Sequence, residues 1–257
     1  MLARQVIRKV PAVALSFWVV KILTTAQGEA VSDYLVHTIN PYYAVALGTL
    51  GLLLALAIQL ALDRYLAPAY WFAVTMVAIF GTMAADAAHI ELHIPYAMSA
   101  AICAVGLAVI FLTWRAVEGT LSIHSIQTRR RELFYWAAVL ATFAMGTAVG
   151  DLTAYTLRLG FLTSGLLFTV AFALPFILRR LTGLNDVFAF WCAYVLTRPL
   201  GASYADWFGV PRALGGLNYG RGTVAVVLTL AIVGLVAYLS ASKADVEVEG
   251  AAAISVA

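Results

Sequence analysis

Residues 18–33 read WVVKILTTAQGEAVSD, and the same frame returns as WFAVTMVAIFGTMAAD at 71–86, WAAVLATFAMGTAVGD at 136–151 and WCAYVLTRPLGASYAD at 191–206. Each copy opens on a tryptophan (Trp18, Trp71, Trp136, Trp191). Each carries a glycine ten residues on (Gly28, Gly81, Gly146, Gly201) and closes on an aspartate five later (Asp33, Asp86, Asp151, Asp206). The pattern W-x9-G-x4-D thus occurs four times without a gap, with an aromatic residue before every tryptophan: Phe17, Tyr70, Tyr135 and Phe190. The copies start 53, 65 and 55 residues apart. Agreement at three positions in four copies marks an internal repeat, and the repeat sets the architecture.

The 257 residues around this frame are 63% hydrophobic and 11% charged, with mean hydropathy +0.92. Soluble domains are about 45–50% apolar and about 25% charged, so a water-soluble globule is excluded, as are disordered and collagen-like chains. The net charge of +3 is small and scattered, which speaks against nucleic acid as a partner and leaves the lipid bilayer. Apolar runs near 20 residues read as spans: 11–37 and 42–62, 68–90 and 95–114, 133–157 and 160–178, 185–207 and 222–241. Between them stand Asn40-Pro41, Ala67-Pro68, Pro95, Gly183, and Pro211 with Gly215-Gly216. The runs are too long, and lack the alternation, for strands. The expected fold is an all-α integral membrane protein of eight transmembrane helices, built from four parallel two-helix repeats and pseudo-symmetric about the membrane normal. It forms one domain over 1–241, with repeats near 10–62, 63–118, 130–180 and 184–241. A disordered cytoplasmic tail, 242–257, follows. Arg4, Arg8 and Lys9 ahead of an apolar stretch imitate a signal peptide, but Lys21, Glu29 and Asp33 inside it argue for a retained first span.

With the N-terminus inside, cytoplasmic segments hold eleven basic residues, including the run Arg129-Arg130-Arg131. External segments hold Arg158, Arg212 and Arg221. This positive-inside bias places both termini in the cytoplasm. Two spans per repeat make the copies enter the membrane the same way up, so all four aspartates share one depth. Each lies about 22 Å along the helix from its tryptophan. Tryptophans at the inner interface put the aspartates in the outer part of the bilayer; packing is the other role open to the tryptophans. The four glycines read as close-packing or hinge positions.

The chain resembles a family of bacterial membrane proteins made of four tandem copies of a "repeat of unknown function". There, too, each copy has two spans and a characteristic tryptophan. The resemblance covers about residues 10–241 and rests on Trp18, Trp71, Trp136 and Trp191 with the glycine and aspartate that follow each. It implies an integral protein of the bacterial inner membrane and supplies no activity.

Function must therefore be argued from the ionisable groups, which inside a bilayer face a bundle interior or a cavity. On the first motif helix Lys21, Thr25, Glu29, Asp33 and His37 recur every four residues and share a face. The second carries Thr82, Asp86 and His89, the third Thr147, Asp151 and Tyr155, the fourth Tyr194, Arg198, Ser203 and Asp206. Turned inward, these stripes gather Glu29, Asp33, Asp86, Asp151 and Asp206 with Lys21 and Arg198, and leave the second helix of each repeat toward lipid. Repulsion among the carboxylates is relieved by protonation, by pairing with Lys21 or Arg198, or by a bound cation. Carboxylate and hydroxyl oxygens, with imidazole from His37 and His89, suit a divalent ion such as Mn²⁺, Mg²⁺ or Ca²⁺. Glu29 is matched by Thr82, Thr147 and Ala202, and the two cations occur once each. Such asymmetry favours a transporter, because internal cations replace the substrate charge when a site is empty.

Three functions stay open at this point. One is a secondary transporter of a small cation, a divalent metal such as manganese first, with proton exchange as the natural coupling. A second is a cation channel with an acidic ring. The third is a non-transporting scaffold whose aspartates cap helices or bond between them. No enzyme is expected: G-x-S-x-G, H-E-x-x-H, CxxC and the P-loop are all missing. Cys103 and Cys192 read as small buried hydrophobes, and the group His89, Glu91 and His93 lacks helical ligand spacing.

Overall fold

The computed structural model describes residues 8–90 and 93–246, and all regular structure there is helical. Eight α-helices follow in order: α1 (Leu15–Thr38), α2 (Pro41–Ala61), α3 (Ala67–Ile90), α4 (Tyr96–Glu118), α5 (Arg129–Asp151), α6 (Gly160–Thr182), α7 (Asp186–Gly209) and α8 (Arg221–Ser242). A π-helical turn, Leu152–Thr156, extends α5. Local chemistry sets the ends. Asn40 accepts from the Tyr42 N–H with Pro41 beginning the helix, Thr128 accepts from Arg131, and Asn185 accepts from Val187 and Phe188. Gly119 (φ 72°) and Gly183 (φ 69°) close α4 and α6 in the left-handed conformation.

Six of these helices are long and apolar enough by themselves to cross a bilayer: Pro41–Ala61, Ala67–Ala87, Tyr96–Glu118, Arg129–Thr156, Gly160–Thr182 and Arg221–Ser242. The other two, α1 and α7, carry Lys21, Glu29 and Asp33, and Asp186, Arg198 and Asp206. Burial explains how they tolerate the charge. The motif helices α1, α3, α5 and α7 form the inner set, with 67% of the α3 span buried against 17% of the α4 span. Each inner helix packs on the next, and α7 returns to α1.

The motif glycines make that ring tight. A methyl group at Gly28 would collide with Ala78 on α3, and one at Gly81 would lie 2.8 Å from Phe143 on α5. At Gly146 it would meet Arg198 and Pro199 on α7, and at Gly201 it would meet Thr25 and Ala26 on α1. Small residues that let backbones approach supply the van der Waals contact that lipid cannot replace. The outer helices fill the seams. α2 packs mainly on α3, α4 on α5, α6 on α7, and α8 on α1.

Two boundaries differ from the sequence reading. Residues 8–14 do not extend the first span; they cross one end of the bundle as a strap. Lys9 N–H donates to Ile126 O (3.3 Å), Tyr65 N–H to Arg8 O (2.9 Å) and Ala12 N–H to Asp245 O (2.9 Å). The buried Lys9 Nζ holds Glu132 Oε2 at 2.7 Å, and Gln59 donates to the other oxygen of that carboxylate at 3.0 Å. α8 runs to Ser242, and Asp245, within the tail expected to be disordered, is 2% exposed and accepts from the Tyr65 hydroxyl. Burial and this carboxylate push the Tyr65 hydroxyl far above the usual phenol range. The rest of that tail, 247–257, lies outside the described residues, as do Arg4 and Glu91.

Candidate functional site

Equivalent positions of the four repeats stack as layers along the inside of the ring. The first layer is aromatic. Phe17, Tyr70, Tyr135 and Phe190 each stand edge-on to their own tryptophan, at centroid distances of 5.1, 5.1, 5.2 and 5.3 Å. Each also leans on a neighbouring repeat's tryptophan: Phe17 on Trp71 (5.7 Å), Tyr70 on Trp136 (5.7 Å), Tyr135 on Trp191 (6.2 Å) and Phe190 on Trp18 (5.6 Å). Eight rings thus close a circuit, in the tilted and edge-to-face geometries that the ring quadrupole favours. The tryptophans are buried in this packing, so of the two roles open to them the lipid-interface belt is the wrong one. The signal was already in the sequence, in the aromatic residue that precedes each tryptophan.

One turn further, Lys21 is fully enclosed. The expected ion pair is absent: its Nζ meets no hydrogen-bond partner among the described residues. It sits 4.2 Å from the ring centroids of both Phe143 and Tyr194, an arrangement that holds a cation against two π-faces. Lys21 on α1 reaches Phe143 on α5, across the ring, so this layer is filled.

The third layer belongs to Arg198. Its Nη2 donates to Glu29 on α1, to Thr82 on α3 and to Thr147 on α5, the last at 2.8 Å. Those three residues hold the same place in their repeats, eleven after the tryptophan. The fourth such place is Ala202, on the arginine's own helix. One guanidinium therefore ties all four motif helices together. It is buried, and its Nε and Nη1 find no partner among the described residues. Thr82 also donates to Glu29 Oε2 at 3.5 Å and to Ala78 O at 3.0 Å.

The acids form the last layer. Carboxylate oxygens of Glu29, Asp33 and Asp206 lie within 4.8 Å of one another, Glu29 being buried and Asp33 half-buried. Asp86 and Asp151 stand outside this triad, half-buried, yet near enough to repel Glu29 and Asp33. Asp206 repels Glu29, Asp33 and Asp151 in turn. Two of the triad are ion-paired: Glu29 with Arg198, and Asp33 with Arg221, whose Nε donates to Oδ2 at 2.8 Å. Arg221 escaped the sequence reading, which counted it as an external residue. Only the seating of α8 on α1 brings it to the acids.

The histidines lie elsewhere. His37 is exposed, with Nδ1 2.7 Å from the Asp33 carbonyl. His89 sets Nδ1 2.8 Å from Ile94 O and stacks on Tyr96 at 3.6 Å. Neither belongs to the triad, so the nearby ligand atoms are all oxygens. Cys103 and Cys192 are unbonded and half-buried on α4 and α7.

The chemistry available is that of a largely buried acidic cluster with internal cations. Five carboxylates against Lys21, Arg198 and Arg221 leave two formal negative charges. Oxygen donors at this spacing match a hard divalent cation in ligand type.

A family model described as Repeat of Unknown Function (DUF347) matches the chain four times, over residues 16–65, 69–120, 134–184 and 189–245. No curated protein and no solved structure matches the chain.

Proposed function

The chain belongs to the Repeat of Unknown Function family, and from that footing we propose that it is a secondary transporter of a small cation, a divalent metal such as manganese first. The observation that carries this reading is the triad of Glu29, Asp33 and Asp206, where α1 and α7 meet in a membrane-like helical bundle. Asp86 and Asp151 complete the acidic lining, with Thr82 and Thr147 behind it. The residual negative charge favours a cation. A carboxylate cluster that releases its ion inside a bilayer needs another positive charge in its place, protons or a tethered cation, which makes proton exchange one natural coupling.

In this reading all eight helices span the bacterial inner membrane. The helices α1 and α7 cross despite their charges, because the ring shields them. The four repeats then run the same way up around a pseudo-fourfold axis along the membrane normal. The strap and both termini lie in the cytoplasm, and the acids open outward, as the basic residues suggest. An open channel fits less well. Lys21 reaches α5 from α1 and Arg198 reaches α3 from α7, so two layers between the acids and the strap are plugged by fully buried side chains. A scaffold is the second reading, favoured by the way Arg198 ties four helices at once. No step of an enzyme is proposed.

Flux in proteoliposomes tests the proposal. Mn²⁺, Mg²⁺, Ca²⁺, Co²⁺, Zn²⁺, Na⁺ and K⁺ are compared with and without a pH gradient, for the wild type and for Asp206→Asn. Selective flux in the wild type and its loss in a folded Asp206→Asn protein is the expected result. An absence of flux for every ion, with Asp206→Asn merely less stable, refutes transport in favour of the scaffold.

A further inference from the structure

We infer that Arg221 is a tethered cation that occupies the ion site between turnovers, and that by doing so it sets the site's preference for divalent over monovalent ions. The inference rests on the cation-site reading of the acidic triad. Its starting point is the unequal hold of the two arginines there.

Arg198 is fixed. Its side chain is 1% exposed, three oxygens converge on one nitrogen, and Gly146 of α5 packs against its Cβ and Cγ. Its Nε and Nη1 are enclosed without a partner among the described residues, so the guanidinium is held at the buried end of the triad beside Glu29. Arg221 is the opposite case. It contributes one bond, from Nε to Asp33 Oδ2, and the two side chains are 26% and 16% exposed. It is the first residue of α8 and follows Gly220, at φ 85°. Its Cα and Cγ lie beside Gly209 at the end of α7, where an added methyl group would make ordinary contact at 3.4 Å. It pairs with Asp33 and is near enough to Asp206 for its charge to act there. Ion pairs open to water contribute little, which makes this the contact that an arriving ion can replace.

Valence selectivity follows from the exchange. A monovalent ion that displaces Arg221 brings no more charge than the guanidinium it removes. A divalent ion brings one charge more, and the surrounding carboxylates reward it.

The test is Mn²⁺ binding to the full chain in detergent, with free Mn²⁺ followed by its electron paramagnetic resonance, in choline chloride and in NaCl. Arg221→Gln is expected to bind Mn²⁺ about two- to fivefold more tightly than the wild type, the factor a partly exposed pair supplies. Na⁺ should compete more strongly in that variant. Arg221→Lys and Arg212→Gln, the second a nearby exposed arginine without an acidic partner among the described residues, should both stay near the wild type. Arg221→Met replaces the glutamine variant if the latter fails to fold. Unchanged or weaker affinity on loss of the Arg221 charge overturns the inference while leaving the site standing. An equal gain from Arg212→Gln also overturns it, by showing a diffuse charge effect. Failure of the wild type and both Arg221 variants to bind Mn²⁺ overturns the cation-site reading itself.

Discussion

Replacing Glu29 by glutamine removes the charge that faces Arg198 and keeps the side chain's shape. The guanidinium then loses its one directly paired carboxylate among the described residues, and breaking a buried pair from one side costs about 3–5 kcal/mol. The amide oxygen of glutamine can still accept from Nη2, so about 3 kcal/mol is expected. Arg198→Met strands Glu29 in the same way. It leaves only the long Thr82 contact at 3.5 Å, while its own Cβ and Cγ keep the packing against Gly146. A cost of about 3 kcal/mol is again expected. The double variant leaves neither partner of the pair as an orphan charge, so the penalty of a broken pair is not counted twice. It should therefore cost about 3 kcal/mol or less, against about 6 if the two were independent. Reversible unfolding in mixed micelles with increasing SDS, followed by circular dichroism, measures all four corners of the cycle. Additive costs would refute the reasoning, because they would mean that Glu29 and Arg198 stabilise the bundle without stabilising each other.

The other expectations concern packing. Gly28→Val should destabilise by about 1–3 kcal/mol or more, since the added atoms strike Ala78 on α3. Gly106→Ala, on α4 with open space around it, should be neutral or stabilising by up to about 1 kcal/mol; equal effects in the two variants would remove the glycine ring from the account. Lipids brominated along their acyl chains should quench little of the tryptophan emission, because five tryptophans are buried and only Trp207 is part-exposed. Strong quenching that survives Trp207→Phe would place the motif tryptophans against lipid after all.

Much of this architecture could be read from periodicity. Four copies of one frame gave eight helices, and spacing along each helix gave which residues share a face. The equivalence of Glu29, Thr82, Thr147 and Ala202 was visible before any coordinates. What could not be read was reach across the ring. A repeat pattern ranks residues by depth on their own helix and says nothing about which helix stands opposite. Lys21 and Arg198 have long side chains, and each binds a residue on the helix diagonal to its own. The acids separated for a similar reason. Glu29 occurs in one repeat alone, and it makes a triad with Asp33 and Asp206 that Asp86 and Asp151, on the other side of the ring, do not join. Arg221 was hidden most deeply, since its partner depends on the last helix of the chain meeting the first.

That last meeting also makes the order of the repeats a matter of where the chain was cut. Three of the four seams between repeats are joined by continuous backbone, and the fourth, between α8 and α1, has the same kind of packing. There the Ala12 N–H donates to the Asp245 carbonyl at 2.9 Å, so the segments that flank α1 and α8 already touch. A circular permutant that begins at the second repeat, with a short linker from Asp245 to Ala12, would break one seam and mend another. Each repeat carries an even number of helices, so moving one from front to back would turn none of them over. The ring has a beginning only because a gene must have one.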